Sequence, residues 1–231
     1  MSSAGDNPTG LDAYRPAEIA RRIEDAGVGK ASLALTQMTA LALLAGAFIA
    51  FGAAFYTLVM TGVDPGYGPS RLLGGAAFSL GLILVVVGGA ELFTGNALMV
   101  MAWVDRRVTT LALLRAWGIV YFGNFAGALA LALLVAGSGV LGGASGELAV
   151  RIAETKMALP PLEALLRGIL CNALVCLAVW LTFAAHDVAG KIFAILWPIT
   201  AFVALGFEHS VANMYLIPVG LLLGADAAGP S

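Results

Sequence analysis

FVALGFEHSVANMYLIPVG, residues 202–220, is apolar at both ends and polar in the middle, where Glu208, His209 and Asn213 stand together. Gly206, Pro218 and Gly220 each weaken a helix through this stretch. A second stretch, GGAAFSLGLILVVVGGAELFTGNALMVMAW (74–103), repeats the pattern: glycine clusters inside an apolar run, with Glu91 and Asn96 spaced like Glu208 and Asn213. The matched Glu-x4-Asn in two glycine-interrupted runs predicts an internal repeat with paired broken helices. At such breaks freed backbone groups line a cavity.

The rest of the chain fixes the surroundings. Of its 231 residues 60% are hydrophobic and 11% charged, with a mean hydropathy of +0.94. A soluble domain carries about 25% charge, so the class is an integral membrane protein. Apolar runs fall at 33–61, 71–103, 109–137, 160–185 and 189–224. Each exceeds the roughly 20 residues that cross a bilayer as a helix. Only helices or closed barrels satisfy their backbone in lipid, and these lengths, without alternation, select helices. The expectation is an all-α membrane bundle of five spans, the second and fifth broken.

Residues 1–31 read as a polar segment without a cleavable leader. Its Pro16-led helix carries Ile19, Ile23 and Ala26 on one face and is expected to lie at the cytoplasmic membrane surface. Residues 32–224 form the membrane domain and 225–231 the end. With the N-terminus inside, the inner segments hold Arg15, Arg21, Arg22, Lys30, Arg106, Arg107, Arg115 and Lys191. The outer ones hold Arg71, Arg151, Lys156 and Arg167. That asymmetry favours a cytoplasmic N-terminus. A net charge of -2 without a basic patch gives no footing for nucleic acid.

Three ionisable side chains lie deep in the runs: Glu91, Glu208 and His209. Charge at the bilayer centre costs at least ~3 kcal/mol. For the two glutamates the reading is structural, with carboxylates accepting backbone N–H groups at the breaks. For His209 it is functional, because a neutral imidazole both gives and takes a proton near physiological pH. Lys156, in RIAETKMALPP (151–161), reads by itself as a loop lysine. Asn172 reads as polar glue between helices, and Thr94 as a bond to a carbonyl at a break. GNFAG (123–127) is a small-xxx-small pattern for close packing. Trp103, Trp117, Trp180 and Trp197 read as interface or packing aromatics, Cys171 and Cys176 as packing residues. GSGVLG (137–142) follows an apolar helix and not a strand, and GVGKAS (27–32) has Glu24 where a phosphate loop needs glycine. No His/Cys/acid spacing fits a metal. A competing reading, an intramembrane enzyme with Glu208 and His209 as acid and base, lacks a converging nucleophile or metal set.

These stretches resemble a known family. GGAAFSLGLILVVVGGAELFTGN (74–96), YFGNFAGAL (121–129), GILCNALVCLAVWL (168–181) and GFEHSVANMYLIPVG (206–220), led by PAEIARRIEDAGVGKA (16–31), are similar to the formate–nitrite transporters of bacterial inner membranes. The resemblance implies homopentamers with an aquaporin-like inverted-repeat fold and a pore in each subunit. By motif, His209 is then the central pore histidine and Thr94 lies opposite it. Lys156 and Asn172 complete the polar surroundings, and Phe78, Leu82 and Phe202 form the apolar constrictions. Glu91, Asn96, Glu208 and Asn213 support the breaks. The implied cargo is a small monovalent anion, formate first because NMYLIPVG (213–220) resembles the formate branch, then nitrite, then hydrosulfide. Protons take part, no cofactor is implied, and passage depends on pH. The resemblance also implies a sixth helix. The sequence supplies five, so the expectation is a chain cut short near 225–231, or a truncated subunit that does not transport.

Overall fold

The computed structural model describes residues 13–225, and they form an all-helical bundle. Residues 1–12 of the polar lead, and all of the expected end at 225–231 but Ala225, lie outside the described residues. Helix α1 (Pro16–Ala31) opens on its proline, whose missing N–H is no loss in the first turn. It buries Ile19, Ile23 and Gly27. The uncharged α2 (Leu35–Val59) follows. Then come α3 (Gly68–Phe78) and α4 (Leu80–Gly88), nearly continuous through Ser79. Residues 89–94 have no helix, and the run resumes as a 3-10 turn (Gly95–Met99) and α5 (Val100–Val104). Beyond a corner lie α6 (Thr110–Ser138), α7 (Ala144–Met157), α8 (Pro161–Ala184), α9 (Val188–Ala204) and α10 (Ser210–Leu222).

Four helical stretches are long and apolar enough to cross a membrane: Leu35–Val59, Gly68–Gly88, Thr110–Ser138 and Pro161–Ala184. The fifth run is split between the shorter α9 and α10. The second and fifth runs are thus interrupted, at 89–94 and at 205–209. Of the three residues read as helix weakeners in the fifth, only Gly206 marks the break, in the left-handed region at φ 73°. Pro218 and Gly220 lie inside α10. Gly220 is there for contact: a Cβ would run into Ala153 of α7.

Helix α7 was not foreseen. The segment around Lys156 reads as loop because its polar residues hide a short amphipathic helix, which packs its Ala149 and Ala153 against α10. With α7 in view, the repeat acquires a lead helix in each half. Both α1 and α7 start with a glutamate in the first turn (Glu18, Glu147) and end with a lysine in the last (Lys30, Lys156). Each charge sits at the end of the macrodipole that favours it. A long span follows each, and then a broken one.

The apolar face of α1 is spent on protein. Gly27 lets the helix approach Met99 and Ala102. Arg107, at the α5–α6 corner, pairs with Glu24 at 3.4 Å and Asp25 at 2.6 Å. Among long helices, α2 and α6 come closest. A Cβ on Gly46 or Gly127 would overlap the carbonyls of Asn124 and Leu43, and one on Gly123 would meet Ala42. GNFAG therefore serves the crossing that its spacing predicted. Replacing Gly127 by Val is expected to lower the thermal midpoint of the purified protein in detergent, by the equivalent of about 1–3 kcal/mol or more. Gly118→Ala, on the same helix but with open space around it, should leave that midpoint within error.

Candidate functional site

The two breaks begin alike. Gly89 (φ 74°) and Gly206 (φ 73°) turn the chain out of its helix, a conformation glycine enters without a steric cost. The next amide then bonds back, Ala90 N to Val85 O at 2.9 Å and Phe207 N to Phe202 O at 3.0 Å. Beyond this point they diverge. In the first, Leu92 occupies the place that His209 holds in the second, and it has no polar atom to offer. Its backbone is satisfied from outside. Asn124 of α6, fully buried, donates from Nδ2 to Glu91 O at 2.9 Å and Ala42 O at 2.8 Å. Its amide oxygen accepts from Phe93 N at 2.9 Å. Glu91 N reaches Leu41 O of α2 at 3.2 Å. Three bonds make Asn124 the clamp of this break. GNFAG was read for its small residues, and the asparagine between them went unremarked.

The second break caps itself. His209 is the N-cap of α10, and its Nδ1 accepts from Ala212 N at 3.0 Å. Its Nε2 lies 3.1 Å from Thr94 Oγ1. A nitrogen that accepts an N–H carries no proton of its own. The neutral ring therefore holds its proton on Nε2 and donates it to Thr94. Aromatic side chains close in around the ring. Phe202 stacks on it with centroids 5.7 Å apart and planes 14° apart. Phe78 stands edge-on to both rings, 6.3 Å from His209 and 5.7 Å from Phe202. Thr94 and His209 are both buried.

Each break also holds a lysine, a glutamate and an asparagine. Lys156 Nζ meets Glu208 Oε2 at 2.7 Å, and Asn213 Nδ2 donates to the same oxygen at 2.7 Å. Lys30 Nζ meets Glu91 Oε1 at 2.7 Å, and Asn96 Nδ2 donates to Oε2 at 2.8 Å. This corrects the expectation that the two carboxylates accept backbone N–H groups. Lysine and asparagine side chains take them instead, because a low-polarity setting favours a paired, fully bonded charge. Lys30 was not singled out as a site residue. The signal that finds it is positional: it ends α1 as Lys156 ends α7. The indole of Trp117 adds a bond to Asn96 O at 2.9 Å.

Cavities lie on both sides of His209. One of about 110 Å³ is lined by Lys156, Glu208, Asn213, Phe78, Phe202 and His209. One of about 320 Å³, on the α1 side, is lined by Lys30, Glu91, Asn96 and Leu82 among others. Phe78 and Phe202 thus face the Lys156 side, and Leu82 the α1 side. A third, of about 470 Å³, holds Thr94, Asn172 and His209. Asn172 does not bond to the histidine. Its Nδ2 approaches Cys176 Sγ at 3.7 Å, and its Oδ1 has no partner among the described residues. Cys176 Sγ lies 3.8 Å from Thr94 O. No group of three or more potential metal ligands occurs among the described residues.

A bundle of membrane-length helices with two inward breaks, cavities on either side and a polar group at the meeting point has the build of a membrane transport protein. Comparison with known proteins makes the class specific. The family profile described as "Formate/nitrite transporter" matches residues 17–229. "Formate channel FocA" of Escherichia coli (strain K12) is 42% identical over 229 residues, covering 97% of this chain and 79% of that protein. A solved "Pentameric formate channel with formate bound" superposes with a TM-score of 0.73 at 37% identity, over 84% of this chain and 82% of the other. An "FNT family ion channel" superposes at 0.85 with 28% identity, over 91% and 86%. The chain belongs to the formate/nitrite transporter family and is a multi-pass membrane protein. A family of transporters leaves no place for the intramembrane enzyme.

Asn124→Leu removes three bonds at once and leaves an N–H and two carbonyls without side-chain partners. Each such group costs about 1–3 kcal/mol when buried. The variant is expected to unfold in detergent far below the parent, with Asn124→Gln partly restoring the midpoint.

Proposed function

We propose that the protein is a channel for small monovalent anions, formate foremost, and that they pass His209 between two apolar constrictions. The observation that carries this is the imidazole itself, pinned at Nδ1 by Ala212 and at Nε2 by Thr94, with Phe78 and Phe202 on one side and Leu82 on the other. Support for formate comes from the formate channels similar in sequence and structure. Nitrite and hydrosulfide follow, being small anions with neutral conjugate acids. We infer further a homopentamer, like the pentameric channel that the chain resembles. Exposed apolar residues such as Phe51, Phe55, Leu111, Phe122 and Leu134 then face lipid or other copies. The inner membrane of a bacterium, with the N-terminus in the cytoplasm, is the proposed setting.

The mechanism follows from desolvation. An anion leaving water for an apolar slit loses hydrogen bonds that aliphatic and aromatic walls cannot return. Lys156, within the cavity beside Phe78 and Phe202 and paired with Glu208, gives the anion a polar contact at that mouth. At the centre, the Nε2–H of His209 is given to the hydroxyl of Thr94, and the ring acts on the anion through that hydroxyl. Thr94 accepts from the ring and keeps its own O–H free to donate. Asn172 adds polarity nearby, while Glu91, Asn96, Glu208 and Asn213 hold the breaks in shape.

Two roles are open to His209: a neutral hydrogen-bond donor, or a relay that protonates the anion. The cap supports the first. To donate a proton and end neutral, the ring must first become imidazolium, with an added proton on Nδ1. That proton would face the N–H of Ala212 and break the cap of α10. On this reading the neutral acid draws its proton from water in the cavities, and flux rises as pH falls because more conjugate acid is present.

Proteoliposome flux of formate, nitrite and hydrosulfide across pH 5–8 tests the proposal. His209→Phe removes the cap and the donor, and should cut formate flux roughly tenfold or more at every pH, within the range for one lost polar group. Unchanged flux and pH profile in that variant would refute a central role for the histidine. His209→Asn keeps a capping oxygen and an N–H donor without a titratable ring. A retained pH profile is expected; a flat one would restore the relay.

A further inference from the structure

The two mouths differ in a charge that the channel proposal has not used. In the cavity beside Lys156, the lining charges are Lys156 and Glu208, and they neutralise each other at 2.7 Å. In the α1-side cavity, Lys30 and Glu91 do the same. A third charge remains there. Lys191 of α9 lines this cavity, half-buried, with no ion pair or side-chain hydrogen bond among the described residues. The nearest acid in the sequence, Asp187, is committed elsewhere. Its Oδ1 accepts from Gly190 N at 2.6 Å to cap α9, and the residue lines a different cavity.

Lys191 stands in the first turn of α9, where the helix macrodipole disfavours a cation, and no partner among the described residues offsets that cost. Its position over an open cavity does give it an electrostatic role. A cleft with one uncompensated charge and low-dielectric walls focuses the field and raises the local concentration of counter-ions.

We propose that Lys191 is the anion-gathering cation of the α1-side mouth, and that the channel is therefore electrostatically one-sided. Small monovalent anions collect beside Lys191, Thr182 and Asn96 before meeting Leu82, while the opposite cavity, whose charges cancel, gathers them less. The inference rests on the anion-channel reading for its ligand, though the local charge can be measured without transport.

The test uses full-length protein in oriented liposomes. Lys191→Gln should reduce formate uptake from the α1 side about threefold or more at low ionic strength. That deficit should vanish near ~0.5 M salt, where screening acts within a few ångströms, and Lys191→Arg should behave like the parent. A second measurement reads the field directly. Val86 lines the same cavity, so Val86→Cys is placed in a background with Cys171→Ala and Cys176→Ala. The rates of an anionic and a cationic methanethiosulfonate of similar size are then compared. Lys191→Gln should lower the anionic-to-cationic ratio about five- to tenfold, as expected from a potential of a few kT. An unchanged ratio, or a flux deficit that salt does not remove, would overturn the proposal. If the parent moved no formate while the ratio still fell, the channel reading would fail and the charge asymmetry would stand.

Discussion

A helix that stops inside an apolar bundle leaves backbone N–H and C=O groups with no water to bond, and the architecture depends on how those groups are satisfied. The first break borrows its partners from α2 and from Asn124 of α6. That loan requires α2 and α6 to lie very close, and hence the glycines at 46, 123 and 127. The second break supplies its own partner through His209. The same side chain thereby ends a helix gap and faces the cavity. Packing, backbone satisfaction and the chemistry of the site are one problem, solved differently in the two halves.

The charged triads follow the same economy. A carboxylate beside a break has few routes to full hydrogen bonding. Pairing it with a lysine from a neighbouring lead helix and an asparagine five residues on satisfies it without disturbing the turn. Removing one partner from such a buried cluster costs about 3–5 kcal/mol where burial is complete. The cost is less at Lys30, whose side chain is 31% exposed. The triads also tie α1 and α7 to the breaks, so the lead helices belong to the core of the design.

Much of this was legible in the sequence, for physical reasons. Apolar length marks spans, and glycine clusters with Glu-x4-Asn mark the two breaks, because few other patterns put carboxylates into lipid-soluble runs. His209 and Thr94 stood out as polar residues at those breaks, but the Thr94 hydroxyl, read as bonding a carbonyl, meets the imidazole instead. What escaped was whatever depends on distant partners. The polar stretch around Lys156 gave no long apolar period, so α7 read as loop. Lys30 sits sixty-one positions from Glu91, and nothing local links them. Asn124 was overshadowed by its flanking glycines. Pro218 and Gly220 misled in the other direction, since both lie within a continuous α10.

The substitution of leucine for histidine between matched breaks has a kinetic consequence. Leu92 stands where a second imidazole would stand if the halves were identical in sequence. Conduction needs a resting place that holds an ion firmly enough to admit it and loosely enough to let it go. Two polar stations in series along one narrow duct would each delay departure. On the proposed route past His209, a single station with an aliphatic residue at the other break would set dwell time at one point, where turnover can be tuned without retuning its mirror.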